Sequence, residues 1–278
     1  MSKPDEQASA GIDHLDPVWS QVRAEAEKRA AAEPSLSGFL HTTVLNQARL
    51  EDVVAGHLAE KMGNSELGPS VLRTAFEEAY NADATIGTAM RADIVATCDR
   101  DPACQSYLEP VLFYKGFMAL QAYRAAHWHI GQGRRTMALY VQNRASETFQ
   151  ADIHPAAKIG QGVFIDHATG VVIGETAVVG DDVSMLHSVT LGGSGKESGD
   201  RHPKIGNGVL ISVGAKVLGN IRVGECAKIG GGSVVLTDVP AYSTAVGVPA
   251  KIVGKVSSPT PSRQMDHSVE QKDFGENI

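Results

Sequence analysis

The sequence predicts an α+β protein: an all-helical N-terminal domain over residues 1–148, then a parallel β-helix of hexapeptide repeats over residues 149–256, and a flexible tail over residues 257–278. Three observations predict it. The first half has a helix-forming composition, an aliphatic residue then recurs at every sixth position, and the repeat stops after Val256.

From about residue 14 to 148 the chain is rich in Ala, Leu, Glu, Gln and Arg and poor in glycine and β-branched residues. That composition favours helices. Pro34, Gly63, Pro69 and Pro110 divide it into several. Between Pro110 and Gly131, helical spacing puts Phe113, Phe117, Leu120 and Ile130 on one apolar face, with Lys115, Gln121 and Arg124 elsewhere. Asp101 before Pro102 reads as an N-cap followed by proline at the first helical position.

After residue 150 the period becomes six, in three phases. Ile153, Ile159, Ile165 and Val171 form the first. Ile173, Val179, Met185 and Leu191 form the second, and Ile205, Ile211, Val217, Val223, Ile229 and Val235 the third. Glycine often follows the aliphatic residue, and the residue four places after it is usually small or β-branched, as at Ala157, Val163, Ala177 and Ala215. Each aliphatic residue is expected to point inward from a short strand, with three hexads making one triangular coil of about 18 residues. Two breaks interrupt the pattern. The repeat slips by two between Val171 and Ile173, and GGSGKESGDRHPK separates Leu191 from Ile205. An insertion into a solenoid emerges as a loop on one face, often the functional one. Arg201 and His202 lie in it.

Composition excludes several classes. The net charge is -7, so a basic nucleic-acid footprint is absent. No apolar run approaches a membrane span. The segment MSKPDEQASAGIDHLD is acidic and unlike a secretory signal, which predicts a cytoplasmic protein. Cys98, Cys104 and Cys226 have neither a disulfide framework nor a zinc spacing and read as small buried thiols.

The segments ADIHPAAKIG, IDHATGVVIGET, VTLGGSGKESGDRHPKIG and GVPAKIVGK closely resemble the serine acetyltransferases of the hexapeptide acyltransferase superfamily. RDPA at 100–103 and YKGFMALQAYRAAHW at 114–128 extend the resemblance into the helical half. It implies a left-handed β-helix and transfer of an acetyl group from acetyl-CoA to the hydroxyl of L-serine, with acetyl-CoA a co-substrate and no bound cofactor.

Such a reaction needs a base for a weakly nucleophilic hydroxyl, donors for the developing oxyanion, and grips for both charged ends of the amino acid. The resemblance assigns His167 as general base and Asp152 as the carboxylate that orients it. His202 is placed beside the base, to bind substrate and share the proton work. Arg201 is matched to the serine carboxylate, and Asp101 and Asp166 to its ammonium. Asp101 is expected to lean onto the solenoid of a neighbouring subunit. Gly192 and Gly193 permit close backbone approach to the thioester, the Gly193 N–H being the expected oxyanion donor. Ser194, Lys216, Lys228 and Lys251 are weaker candidates for coenzyme A contacts. His187 repeats the position of His167 one coil on, and His154 precedes Pro155. Neither is read as a metal ligand, and no metal is expected.

The resemblance also implies a homo-oligomer, a trimer or a dimer of trimers, and inhibition by L-cysteine. It further implies docking of the terminal Ile278 into O-acetylserine sulfhydrylase, a compact carboxylate-and-apolar ligand. Two alternatives stay open on the residues alone: a sugar or homoserine acceptor, and an idle member that only regulates the sulfhydrylase through its tail.

Overall fold

The computed structural model describes residues 16–195 and 198–269. Helices α1 (Pro17–Ala32), α2 (Pro34–Leu40), α3 (Leu50–Met62), α4 (Pro69–Ala82), α5 (Ala84–Arg100), α6 (Leu108–Phe113), α7 (Lys115–Gly131) and α8 (Arg135–Phe149) precede the first strand. Helices α1, α2 and α4 open on proline, where the missing N–H has no intrahelical partner to lose. Asp16 caps α1 by accepting from the Trp19 amide at 3.1 Å.

Three local expectations are corrected. Pro110 does not end a helix but sits in the first turn of α6, where amides are unpaired anyway. Asp101 closes α5 instead of opening a helix, because the residue before a proline is driven out of the helical region. Its carboxylate accepts from Ala103 N at 2.8 Å. The apolar face drawn through Phe113 also fails. The chain turns at Tyr114, leaving Phe113 60% exposed, while Gln121 and Arg124 are buried.

Those two polar side chains are inside because Asp93 of α5 is there, fully buried. Its Oδ2 accepts from Gln121 Nε2 (3.0 Å), Arg124 Nε (3.0 Å) and Arg124 Nη2 (2.7 Å). Its Oδ1 accepts from the Val163 amide at 3.0 Å, and Arg124 Nη2 reaches Gly160 O at 2.8 Å. Val163 and Gly160 belong to the first coil of the solenoid. Burial raises the Asp93 carboxyl and Arg124 opposes the rise. With only donors facing it, the group is held as the anion.

The solenoid has three faces. One stacks β1 (Ala151–Ile153), β4 (Val171–Ile173), β7 (Thr190–Gly192), β10 (Lys216–Leu218) and β13 (Val234–Val235). The second stacks β2 (Lys158–Ile159), β5 (Val178–Val179), β8 (Lys204–Ile205) and β11 (Arg222–Val223). The third stacks β3 (Phe164–Ile165), β6 (Ser184–Met185), β9 (Leu210–Ile211), β12 (Lys228–Ile229) and β14 (Ser243–Gly247), closed by antiparallel β15 (Ala250–Lys255). From β1 to β13 every third strand pairs in parallel, and β14 stacks in parallel on β12, so the three-sided coil read from the period of six is the observed architecture. The repeat residues of all three phases are buried, except Ile159, which is partly buried and packs on the same core.

The slip between Val171 and Ile173 has a simple form. Both point inward from β4, either side of outward Val172. Ile165 pairs with Met185 and Ile173 with Leu191, so the corner between β3 and β4 holds two more residues than the corner stacked on it.

The tail is docked over its described part, contrary to expectation. Pro261–Gln264 forms α9. Ser184 Oγ donates to Ser262 O (2.8 Å), Arg263 reaches Asp182 (3.2 Å), and His267 Nδ1 meets Ser212 Oγ (2.8 Å). The polar residues that suggested mobility are partners for polar groups on the solenoid. Cys226 is buried, whereas Cys98 and Cys104 are half-buried with their Sγ atoms 2.7 Å apart. No described helix is long and apolar enough to cross a membrane.

Removing Arg124 would strand the Asp93 charge in the interior. Arg124→Ala is expected to cost about 3–5 kcal/mol of stability in urea unfolding. A loss below about 1 kcal/mol, the range of an exposed pair, would show that the contact does not tie the two parts together.

Candidate active site

The lengthened corner carries Asp166, His167, Ala168, Thr169 and Gly170. His167 and Ala168 both adopt left-handed backbone, with φ of 57° and 56°, a conformation costing roughly 1–2 kcal/mol per non-glycine residue. Its surroundings hold it there. Gly170 N donates to Gln150 O (2.8 Å), Ser188 N to Thr169 O (2.8 Å), and Lys115 Nζ to Thr169 Oγ1. Helix α7 sits directly on the corner, since a Cβ at Gly116 would lie 1.9 Å from the Ile165 carbonyl oxygen.

The two extra residues push His167 outward. Its side chain is 69% exposed, with Nε2 at 3.4 Å from Asp166 Oδ2. The His187 ring packs edge-on against it at 5.7 Å and 74°, as the stacked positions predict. Burial raises the Asp166 carboxyl; His167 opposes this and the charge of Asp101 adds to it. The charge of Asp101 thus bears on the corner of its own chain. Arg100 explains why. It is buried at the end of α5 and donates to Ser184 Oγ (3.0 Å) and Asp182 Oδ1 (2.8 Å) on the solenoid, carrying the next residue to the site.

A second cluster forms at the corner between β4 and β5. Arg201 Nη2 pairs with Glu175 Oε2 at 2.8 Å, and this bond holds the Glu175 carboxyl below the usual range. His202 is 7% exposed and packs over Gly174, its Nδ1 against Thr176. Gly192 ends β7 opposite Leu218, and Gly193 starts the insertion that carries both residues.

The sequence-predicted residues thus fall into two groups within one chain. Asp101, Asp166 and His167 come together before β4. Arg201, His202, Gly192 and Gly193 come together after it. The three residues of β4 separate the corners by about 10 Å. Asp152 joins neither group: its Oδ1 accepts from Gln142 Nε2 of α8 at 2.7 Å, and no hydrogen bond joins it to His167 among the described residues. Lys228 is buried and donates to Ser268 O at 2.5 Å, so it is not an open cation for phosphate. Lys216 Nζ donates to Gly214 O at 2.7 Å, and Lys251 stands exposed on β15. The His154 ring accepts from Ala156 N at 3.1 Å, a turn contact. Glu175 and Thr176 lie in IDHATGVVIGET, which carries the family resemblance without giving either a role; two consecutive polar residues after Ile173 are the signal the sequence offers.

The first half matches the model of the family "Serine acetyltransferase, N-terminal" over residues 18–122. The serine acetyltransferase of Escherichia coli K12 is 53% identical over 254 residues, covering 91% of this chain and 93% of its own length. The chain belongs to the serine acetyltransferase family. That membership makes it an acetyl-CoA-dependent O-acetyltransferase. The solved serine acetyltransferase of Vibrio cholerae superposes with a TM-score of 0.90 at 52% identity, covering 91% of this chain and 98% of that one. That of Brucella abortus, solved in complex with coenzyme A, gives 0.86 at 53% identity, covering 89% and 99%. A serine acetyltransferase can therefore be recognised here from both halves, and the lengthened corner and the insertion are the two departures from its repeat.

Gly116→Ala puts a methyl group into the Ile165 carbonyl, a contact neither backbone can absorb without moving α7 off the corner. Thermal unfolding is expected to show a loss of about 1–3 kcal/mol, as for other overpacked sites. An unchanged melting temperature would show that the helix does not brace the His167 corner.

Proposed function

We propose that this serine acetyltransferase moves the acetyl group of acetyl-CoA to the L-serine hydroxyl by direct attack, with His167 as general base. The observation that carries this is the lengthened corner, which holds an exposed imidazole 3.4 Å from the Asp166 carboxylate, on which the charge of Asp101 also bears. The carboxylates suit an ammonium group, and an imidazole nitrogen with a free lone pair is the side-chain group most often used as a general base. A soybean relative 52% identical to this chain, with a TM-score of 0.83, is solved in complex with serine. It covers 85% of this chain and 97% of its own, which supports the same substrate here.

In the proposed reaction the serine oxygen attacks the thioester carbonyl as its proton passes to His167 Nε2. The Gly193 amide takes the oxyanion. Collapse expels the CoA thiolate, which recovers the proton from His167, leaving O-acetyl-L-serine and CoA. Arg201 grips the serine carboxylate, and leaving Glu175 for substrate exchanges one carboxylate for another. Asp152 is assigned to steady the charged imidazole; to reach it, the bond to Gln142 must give way or a neighbouring chain must supply the aspartate.

The separation of the two corners argues for sites shared between copies. In a trimer of solenoids, the His167 corner of one chain faces the Arg201 and His202 corner of the next, and serine lies between them. L-cysteine carries the same ammonium and carboxylate, so it is proposed as an inhibitor; a relative 48% identical is solved in complex with cysteine. Docking into O-acetylserine sulfhydrylase is proposed for Ile278, which lies outside the described residues.

Purified protein mixed with acetyl-CoA and either L-serine, L-homoserine, D-serine or a sugar should release thiol fastest with L-serine. His167→Ala should slow that release by about 10²–10⁴-fold, the usual worth of a general base. Faster release with a sugar, or an undiminished variant, would overturn the substrate or the base respectively.

The raised Asp166 carboxyl gives a pH signature. A raised group takes up its proton at a pH where an ordinary aspartate, titrating near 3.9, is still charged. The KM for serine should therefore begin to rise on acidification above that range, and Asp166→Asn should raise KM at neutral pH while flattening the dependence. An unaltered acid limb in that variant would remove Asp166 from ammonium binding.

A further inference from the structure

We infer that Thr176 and Gly174 are positioning residues that hold His202 as a neutral imidazole with its proton on Nε2, so that His202 donates a hydrogen bond to the reacting groups and does not act as a second base. This deepens the proposed function and rests on it.

The tautomer follows from a main-chain donor. Thr176 N lies 3.1 Å from His202 Nδ1 and donates to it. A backbone amide can only donate, so Nδ1 must present its lone pair, and the proton of the neutral ring is left on Nε2. The Thr176 hydroxyl reinforces this. Its oxygen accepts from the amides of Arg201 (3.0 Å) and His202 (3.1 Å) while standing 2.9 Å from Nδ1. With two amides on its lone pairs, its own hydrogen is left for Nδ1 or for the Asp200 carboxylate, so the main-chain amide is the contact that sets the tautomer. One side chain therefore straps down the backbone of both functional residues and orients the ring between them. Lys204 Nζ tightens the strap by donating to Thr176 O (2.8 Å) and His202 O (2.7 Å).

Gly174 makes the space. A Cβ there would fall 2.1 Å from both Cδ2 and Nε2 of the imidazole, so only glycine admits the ring. No hydrogen bond reaches Nε2 among the described residues, which leaves it for a ligand. The charged and titratable groups around the ring are Arg201, Lys204, Glu175 and His154. Burial, joined by the charges of Arg201 and Lys204, keeps His202 below the ordinary histidine range, hence uncharged at neutral pH. The contrast with His167 is chemical. An exposed ring without a fixed partner on both nitrogens can exchange protons, whereas a ring locked by a main-chain amide is a preorganised donor.

The test uses the full-length protein labelled with ¹⁵N-histidine. NMR should show His202, assigned by the signals lost in His202→Gln, protonated at Nε2 and unprotonated at Nδ1 across the pH range of activity. In the thiol-release assay, His202→Ala should lose about 10²-fold in kcat, as for a removed oxyanion donor. His202→Gln, whose amide N–H falls near the Nε2 position, should recover about tenfold of that loss. Thr176→Val should cost about tenfold in kcat, one hydrogen bond's worth, and Thr176→Ser should restore it. A proton on Nδ1, a His202 titration that tracks the acid limb of kcat/KM, or a glutamine variant no better than alanine would each overturn the inference. If the unaltered protein releases no thiol with any acceptor, the catalytic role falls with the proposed function, and the NMR spectrum still decides the tautomer on its own.

Discussion

A buried carboxylate at Asp93 is the constraint on which the rest of the arrangement depends. It must be met by donors on all sides, and those donors come from two different parts of the chain: Gln121 and Arg124 on α7, and the Val163 amide on the first coil. Neither the helices nor the solenoid satisfies it alone. A buried pair of this kind contributes less to net stability than to specifying one arrangement, because any other leaves a charge unpaired in the interior. Here what it specifies is the placement of α5. Fixed at Asp93 in its middle and by Arg100 at its end, the helix ends where the charge of Asp101 bears on Asp166.

The solenoid contributes regularity, and the residues proposed to act sit at the two departures from it. Where the repeat holds, side chains alternate between the core and an unremarkable outer face. Two added residues at one corner force left-handed backbone and an exposed histidine. The insertion after β7 folds back over the next corner and is strapped there by Thr176. A scaffold whose coils stack in strict parallel register can carry such additions without passing strain along its axis, since each coil contacts only its neighbours.

The two histidines of the site show how one residue type takes two roles from its surroundings. His167 stands on a strained corner with a carboxylate beside it and solvent around it. His202 is enclosed, stacked on a glycine and fixed at Nδ1 by a donor that cannot reverse. The first environment leaves the ring open to solvent; the second fixes its orientation. Glu175 plays a comparable part for Arg201, holding the guanidinium in place through a 2.8 Å pair.

While the candidate site residues came from the family resemblance, the sequence by itself determined the helical and solenoid halves, the phase of the repeat, its slip of two at Val171 and the insertion. These were legible because a coil repeats every 18 residues, as Lys204 opposite Arg222 and Leu210 opposite Lys228 show, so inward and outward positions are written in local spacing. The tertiary structure alone decided that Arg124 turns inward, that Arg100 is buried against the solenoid, and that Ser262 and His267 of the tail lie against it. Each of these depends on a partner far along the chain: Asp93 for Arg124, Ser184 for Arg100 and Ser262, Ser212 for His267. A polar residue in isolation reads as exposed; it is buried only when a distant group satisfies it, and no local pattern records which group that is.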